Sequence, residues 1–215
     1  SWSFKVNAGY MSGKSFSTPR TNQKFEYAGL NPFLNNEVRD LNLDAISTSY
    51  GSARIDYDYK GGGTATLEGG IAQTKNEVIV TGIGRVQVRN ATKPWARVGY
   101  SGHGLNVLLW TSGRNNVEPE LSLSTGLPLI QNSVITHGEV QYTFKAFEDR
   151  LFVVAGASHR LVSVNTDGTL MQSKRDDNLS GVFTQADYKV SDALKAVIAA
   201  RWDRSSLVPS QFSPK

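Results

Sequence analysis

Apolar and polar residues alternate along most of this chain. Trp2, Phe4, Val6, Ala8 and Tyr10 interleave with Ser3, Lys5, Asn7 and Gly9. Ala53, Ile55, Tyr57 and Tyr59 interleave with Arg54, Asp56 and Asp58, and Ala65, Leu67, Gly69 and Ile71 with Thr66, Glu68 and Gly70. The same rhythm returns in Val140-Gln141-Tyr142-Thr143-Phe144, across 182–190 and across 194–203. Period two means strands whose two faces differ chemically. Segments near 94–101, 104–113 and 150–164 also read as strands. The stretch 192–202 is the one that tempts a helix, but alternation around Arg201 and Asp203 favours a strand. The pattern predicts about nine strands, many of roughly 9–15 residues, whereas soluble strands average about 5–6. Alternating segments of about 10 residues are what a tilted strand needs to cross a bilayer.

The connections sharpen this. Four are tight: Lys60-Gly61-Gly62-Gly63, Ser101-Gly102-His103-Gly104, Lys145-Ala146-Phe147-Glu148-Asp149 and Ser191-Asp192-Ala193. Four read as long: 11–44, 76–93, 114–133 and 165–178. They alternate long, short, long, short. In a meander, that order gathers every short turn at one end and every long loop at the other, the asymmetry of an outer-membrane barrel. Trp2, Tyr57, Tyr59, Tyr100, Tyr142, Phe144 and Tyr188 lie near the short-turn ends, with Tyr10 and Trp202 toward the loops. Two girdles of amphipathic rings at two interfaces would be placed this way. The expected fold is therefore all-β: an antiparallel up-and-down transmembrane barrel.

Composition narrows the chemistry. The chain has 215 residues, no cysteine and 10% aromatic residues, so disorder, disulfide scaffolds and thiolate metal sites drop out. A net charge of +4, dispersed along the chain, is no nucleic-acid footprint. No apolar run approaches the length of a spanning helix.

The charges fall on the polar phase of the alternation: Lys5, Arg54, Asp56, Asp58, Glu68, Arg97, Glu139, Arg160, Asp187, Arg201 and Asp203. In a barrel they would line the lumen, and their mixed signs suit a wall that contacts a plug better than a charge-selective pore. Asp56 and Asp58 share a strand face, but as part of a polar wall rather than an acid–base pair. His103, His137 and His159 lack metal-ligand spacing, so no metal and no cofactor is expected. A hydrolase would need a serine beside a histidine on neighbouring strands, and the sequence shows no convincing partner for any of the three. Gly82-Ile83-Gly84 lacks the third glycine and helix of a dinucleotide fingerprint. Within the long loop 11–44, Arg20, Phe25, Tyr27 and Phe33 are the candidates for touching an incoming ligand.

Several segments resemble a known family. Val80-Thr81-Gly82-Ile83-Gly84-Arg85-Val86-Gln87-Val88 followed by Lys93-Pro94-Trp95-Ala96-Arg97-Val98 resembles a stretch of TonB-dependent receptors. Gly181-Val182-Phe183-Thr184-Gln185-Ala186-Asp187-Tyr188-Lys189-Val190-Ser191-Asp192, then Ala199-Ala200-Arg201-Trp202-Asp203-Arg204 and Phe212-Ser213-Pro214-Lys215, resembles that family's recurring barrel hairpin. The resemblance implies an active transporter in the outer membrane of a Gram-negative bacterium, a barrel of about 22 strands closed by a plug. It implies outer-membrane lipid, a plug domain and the TonB complex as partners, and a scarce ligand such as a siderophore, vitamin or oligosaccharide. Neither plug nor TonB box is recognisable here, so 1–215 is expected to be an internal part of the barrel domain. A passive porin is the alternative, and a soluble β-sandwich a weaker one.

Overall fold

A computed structural model describes residues 1–14, 45–123 and 125–215. Ten strands form one antiparallel meander: β1 (Trp2–Gly13), β2 (Ile46–Asp58), β3 (Thr64–Thr81), β4 (Gly84–Gly102), β5 (Leu105–Glu118), β8 (Asn132–Ala146), β9 (Leu151–Asn165), β10 (Arg175–Lys189), β11 (Lys195–Ser205) and β12 (Gln211–Pro214). Two short strands, β6 (Glu120–Ser122) and β7 (Pro128–Leu129), form a small hairpin that pairs back onto β4. The sheet thus holds 12 strands rather than about nine, and among the described residues β1 and β12 do not pair, so it is not closed. The segment that tempted a helix is β11.

Turn chemistry explains the short end. His103 and Gly104 both have positive φ, 52° and 76°, so a two-residue turn of the mirror-image type joins β4 to β5 and matches the strands' twist. Between β2 and β3 the turn is longer: the Tyr59 amide donates to the Gly63 carbonyl at 3.0 Å, and Gly62 and Gly63 take positive φ, 94° and 102°. The 147–150 turn holds Phe147, Glu148 and Asp149 in the left-handed region at 52°, 57° and 65°.

The other end departs from expectation at 76–93. That segment is no loop: β3 and β4 run for 18 and 19 residues and meet in a tight turn at Gly82-Ile83. A spanning strand needs only about 9–11 residues, so this hairpin stands well beyond the meander. Asn76, at φ 59°, interrupts the β3–β4 ladder, and the β4–β5 register shifts at Asn90/Ala91 on the facing side. Above that joint the hairpin packs with β6 and β7. The buried apolar side chains among the described residues are Val86, Val88, Ala91, Leu121 and Leu129, all in or beside this projecting cap.

The segment 114–133 likewise is more than a loop, because β5 continues to Glu118 and β6–β7 follow. Arg114 pairs with Glu120, which is 4% exposed and also accepts a bond of 2.9 Å from Asn116 Nδ2. The 166–174 connection is tied to the same cap: Thr169 Oγ1 accepts from the Ile130 amide at 3.0 Å and donates to the Thr166 carbonyl at 2.6 Å.

The two faces of the sheet

Cross-strand partners share a face, so the register sorts side chains without ambiguity. One row reads Trp2–Tyr57–Ala65–Tyr100–Val107–Val140–Ala157–Val182–Trp202–Phe212 from β1 to β12. The next row toward the cap carries Phe4, Ile55, Leu67, Val98 and Leu109. This apolar face is uncovered: Phe4 is 84% exposed, Ile198 70%, Leu67 55% and Leu109 50%. A sandwich would bury such a face against a second sheet. An exposed apolar surface of this extent marks a contact face.

The rings predicted near the short turns lie on this same face, and several touch one another. Trp2 and Tyr57 have centroids 4.5 Å apart, Tyr57 and Tyr59 4.7 Å, and Tyr142 and Phe144 6.0 Å.

The opposite face carries the charges. Lys5–Arg54–Glu68–Arg97–Trp110–His137–Arg160 form one row, and Asp56, Glu139 and Asp203 stand in the adjoining one. Asp58, Asp187 and Arg201 share the face in further rows. The fold gathers four of these residues into one network. Glu68 lies 2.8 Å from Arg97 and 4.0 Å from Arg54, and Arg54 Nε donates to both oxygens of Asp56, at 3.0 and 2.8 Å. Thr66 Oγ1 donates to Asp56 at 2.6 Å. Asp58 instead accepts from Thr64 at 2.7 Å, Arg201 grips Asp203 through two bonds of 2.7 and 2.8 Å, and Asp187 meets Lys195 at 2.6 Å. Glu139 stands 3.6 Å from His137. Arg54, Thr66, Arg97, Gly99, Leu108 and Glu139 line a shallow trough.

Bulk on this face is accommodated by glycine. Tyr50 lies over Gly9, Trp95 over Gly70 and Phe183 over Gly156, each pair directly cross-strand, and a Cβ on any of these glycines would meet its ring at 2.5 to 3.0 Å. Large rings therefore lie flat along the wall instead of projecting from it.

Glu68 is the centre of the network, with its side chain 16% exposed. Glu68→Gln is expected to cost at most about 1 kcal/mol in urea titration, because Arg54 and Arg97 remain hydrated and half-exposed. The deficit should shrink in about 1 M salt, where the Debye length falls to about 3 Å. An unchanged deficit at high salt would mean that the carboxylate acts through packing, not charge.

Arg20, Phe25, Tyr27 and Phe33 lie outside the described residues. Of the histidines, His103 Nε2 bonds the Gly61 carbonyl at 2.7 Å and so clasps two adjacent turns. His159 corrects the sequence-based expectation: its Nδ1 lies 2.7 Å from Ser180 Oγ on the neighbouring strand. The two are 21 residues apart in sequence, so only the β9–β10 register reveals the pair. No group of three metal-ligating side chains occurs among the described residues.

No family model matches the chain, and no curated protein does. Among solved structures it is similar to the siderophore receptor PirA from Acinetobacter baumannii, with a TM-score of 0.53 and 13% sequence identity. The match covers 79% of this chain and 31% of that receptor's. At that identity the likeness is one of fold: an antiparallel up-and-down sheet of the kind that forms a receptor's barrel wall.

Proposed function

We propose that residues 1–215 form part of the barrel domain of a TonB-dependent receptor in the outer membrane of a Gram-negative bacterium. The observation that carries this reading is the separation of faces: one largely apolar and exposed, which we turn toward lipid, the other charged and partly neutralised, which we turn toward a lumen. Water would not tolerate the first, and a charge-selective pore would not mix signs as the second does. The fold likeness to a siderophore receptor adds support, as does the hairpin that resembles the family's.

In this reading Arg54, Asp56, Asp58, Glu68, Arg97, Glu139, Asp187, Arg201 and Asp203 line the lumen and meet a plug domain. The cap built from the β3–β4 hairpin, β6–β7 and 166–174 faces outward, and Arg20, Phe25, Tyr27 and Phe33 are the residues we propose to touch a ligand. Binding of a siderophore, vitamin or oligosaccharide there precedes plug movement driven by the TonB complex. The chain itself carries out no reaction; it binds, shelters and guides.

The four tryptophans provide the test, because Trp2 and Trp202 lie on the apolar face and Trp95 and Trp110 on the charged one. In single-tryptophan variants reconstituted with brominated lipid, Trp2 and Trp202 are expected to lose most of their fluorescence while Trp95 and Trp110 keep theirs. Equal quenching of all four, or of none, would refute the barrel orientation. Uptake by intact cells then separates receptor from porin. Accumulation that collapses with the proton gradient supports the receptor, and accumulation indifferent to it means a passive channel.

A further inference from the structure

Directly above the row Ala157–Val182–Trp202, the apolar face changes character. The next row toward the cap is His159–Ser180–Arg204, joined by the register of β9, β10 and β11. His159 Nδ1 and Ser180 Oγ are 2.7 Å apart, and Arg204 is Ser180's direct partner across the β10–β11 ladder. His159 and Arg204 are exposed and Ser180 half-buried.

Arg204 differs from Arg54, Arg97, Arg175 and Arg201, each of which stands against a carboxylate on its own face. Among the described residues Arg204 has no ion pair. The rows on either side of it offer no acid: Ala157, Val182 and Trp202 lie below, and Leu161 and Asn178 above. An uncompensated guanidinium, a hydroxyl and an imidazole therefore stand side by side on the apolar face, where the apolar side chains of β10 and β11 end at Val182 and Trp202.

A cation at the edge of a membrane-facing surface meets lipid headgroups. We propose that His159, Ser180 and Arg204 bind the phosphate of an outer-leaflet glycolipid. Arg204 supplies the charge and two parallel N–H donors, which match phosphate geometry. Ser180 donates its O–H when His159 Nδ1–H donates to Ser180 Oγ, and the far nitrogen of a protonated His159 adds a second donor. The acyl chains then lie down the apolar face past Val182 and Trp202. A serine beside a histidine also invokes ester hydrolysis, but no described side chain bonds the second imidazole nitrogen to orient the ring as a general base. The arrangement is that of a binding site.

The proposal rests on the membrane orientation given above, and its test reads the two separately. The full chain in detergent micelles is offered diphosphorylated lipid A, dephosphorylated lipid A or inorganic phosphate, and bound lipid is measured by native mass spectrometry. Wild type should retain the diphosphorylated lipid. Arg204→Gln should lower its retention about fivefold, and Arg204→Lys only in part. Arg150→Gln, which removes one positive charge at the opposite end, should change nothing. Equal retention of both lipids, undiminished retention by Arg204→Gln, or displacement by inorganic phosphate at comparable concentration would overturn the lipid-phosphate site. Released fatty acid that disappears in Ser180→Ala would overturn it in favour of hydrolysis. Quenching of Trp202 by brominated lipid in every variant reports that insertion and folding are intact. Loss of that quenching in wild type counts against the orientation itself.

Discussion

Gly104→Ala is expected to destabilise the sheet by about 2–5 kcal/mol, the sum of left-handed backbone strain and overpacking. Gly104 sits at φ 76°, and a Cβ there would fall 2.1 Å from the Thr143 carbonyl oxygen. That atom belongs to the backbone, so no rotamer change relieves the overlap. The Thr143 amide also donates to the Gly104 carbonyl at 2.7 Å, which ties the turn to β8 and leaves it little room to retreat. Gly168 is the matched control. Its φ is 78°, but a Cβ there meets nothing within 4 Å. Gly168→Ala should therefore cost only the strain, about 1–2 kcal/mol. Urea titration of both variants in detergent measures the difference. Equal losses would mean that the Thr143 contact opens at little cost.

The second large effect tests the faces against each other. Leu109→Arg should cost about 2–4 kcal/mol when folding into a bilayer, the value for a guanidinium near the midplane of a barrel's lipid face. Leu109 is 50% exposed, in the row of Leu67 and Val98, so in the proposed orientation the charge would stand among lipid chains. Leu108→Arg, one residue away, points into the trough beside its cross-strand partner Glu139 and should be nearly neutral. A soluble sheet would give comparable small effects at both positions. Folding titrations into vesicles, compared with titrations in water, decide between them.

How far the architecture was legible depended on what lay against each residue. Where one face of a sheet is apolar and the other polar, every second residue is apolar, and the strands around Phe4, Ile55, Leu67, Val140 and Val182 announce themselves. The tight turns were equally plain, because positive φ at positions such as Gly62, Gly63 and Gly104 restricts the residue type. Alternation faded at 76–93. There Val78-Ile79-Val80 run together, and Val86 and Val88 are buried within the protein, so the two-face rule no longer applies. The sequence of these two strand ends reads as a loop for that reason.

The charged residues show the other limit. Their phase along each strand was readable, so their common face followed from periodicity alone. Which of them touch did not. Glu68 meets Arg97 across 29 positions of chain, while Asp58, four residues from Arg54, turns to Thr64 instead. Pairing across a ladder depends on register, and a register is set by turn geometry and by the match of whole faces. His159 and Ser180 were invisible for the same reason, and so was the solitary position of Arg204. Local pattern therefore determined that this protein is a meander with a lipid-like face and a charged one. The contacts that make sites come from strands brought together by the sheet, and only the tertiary structure decided them.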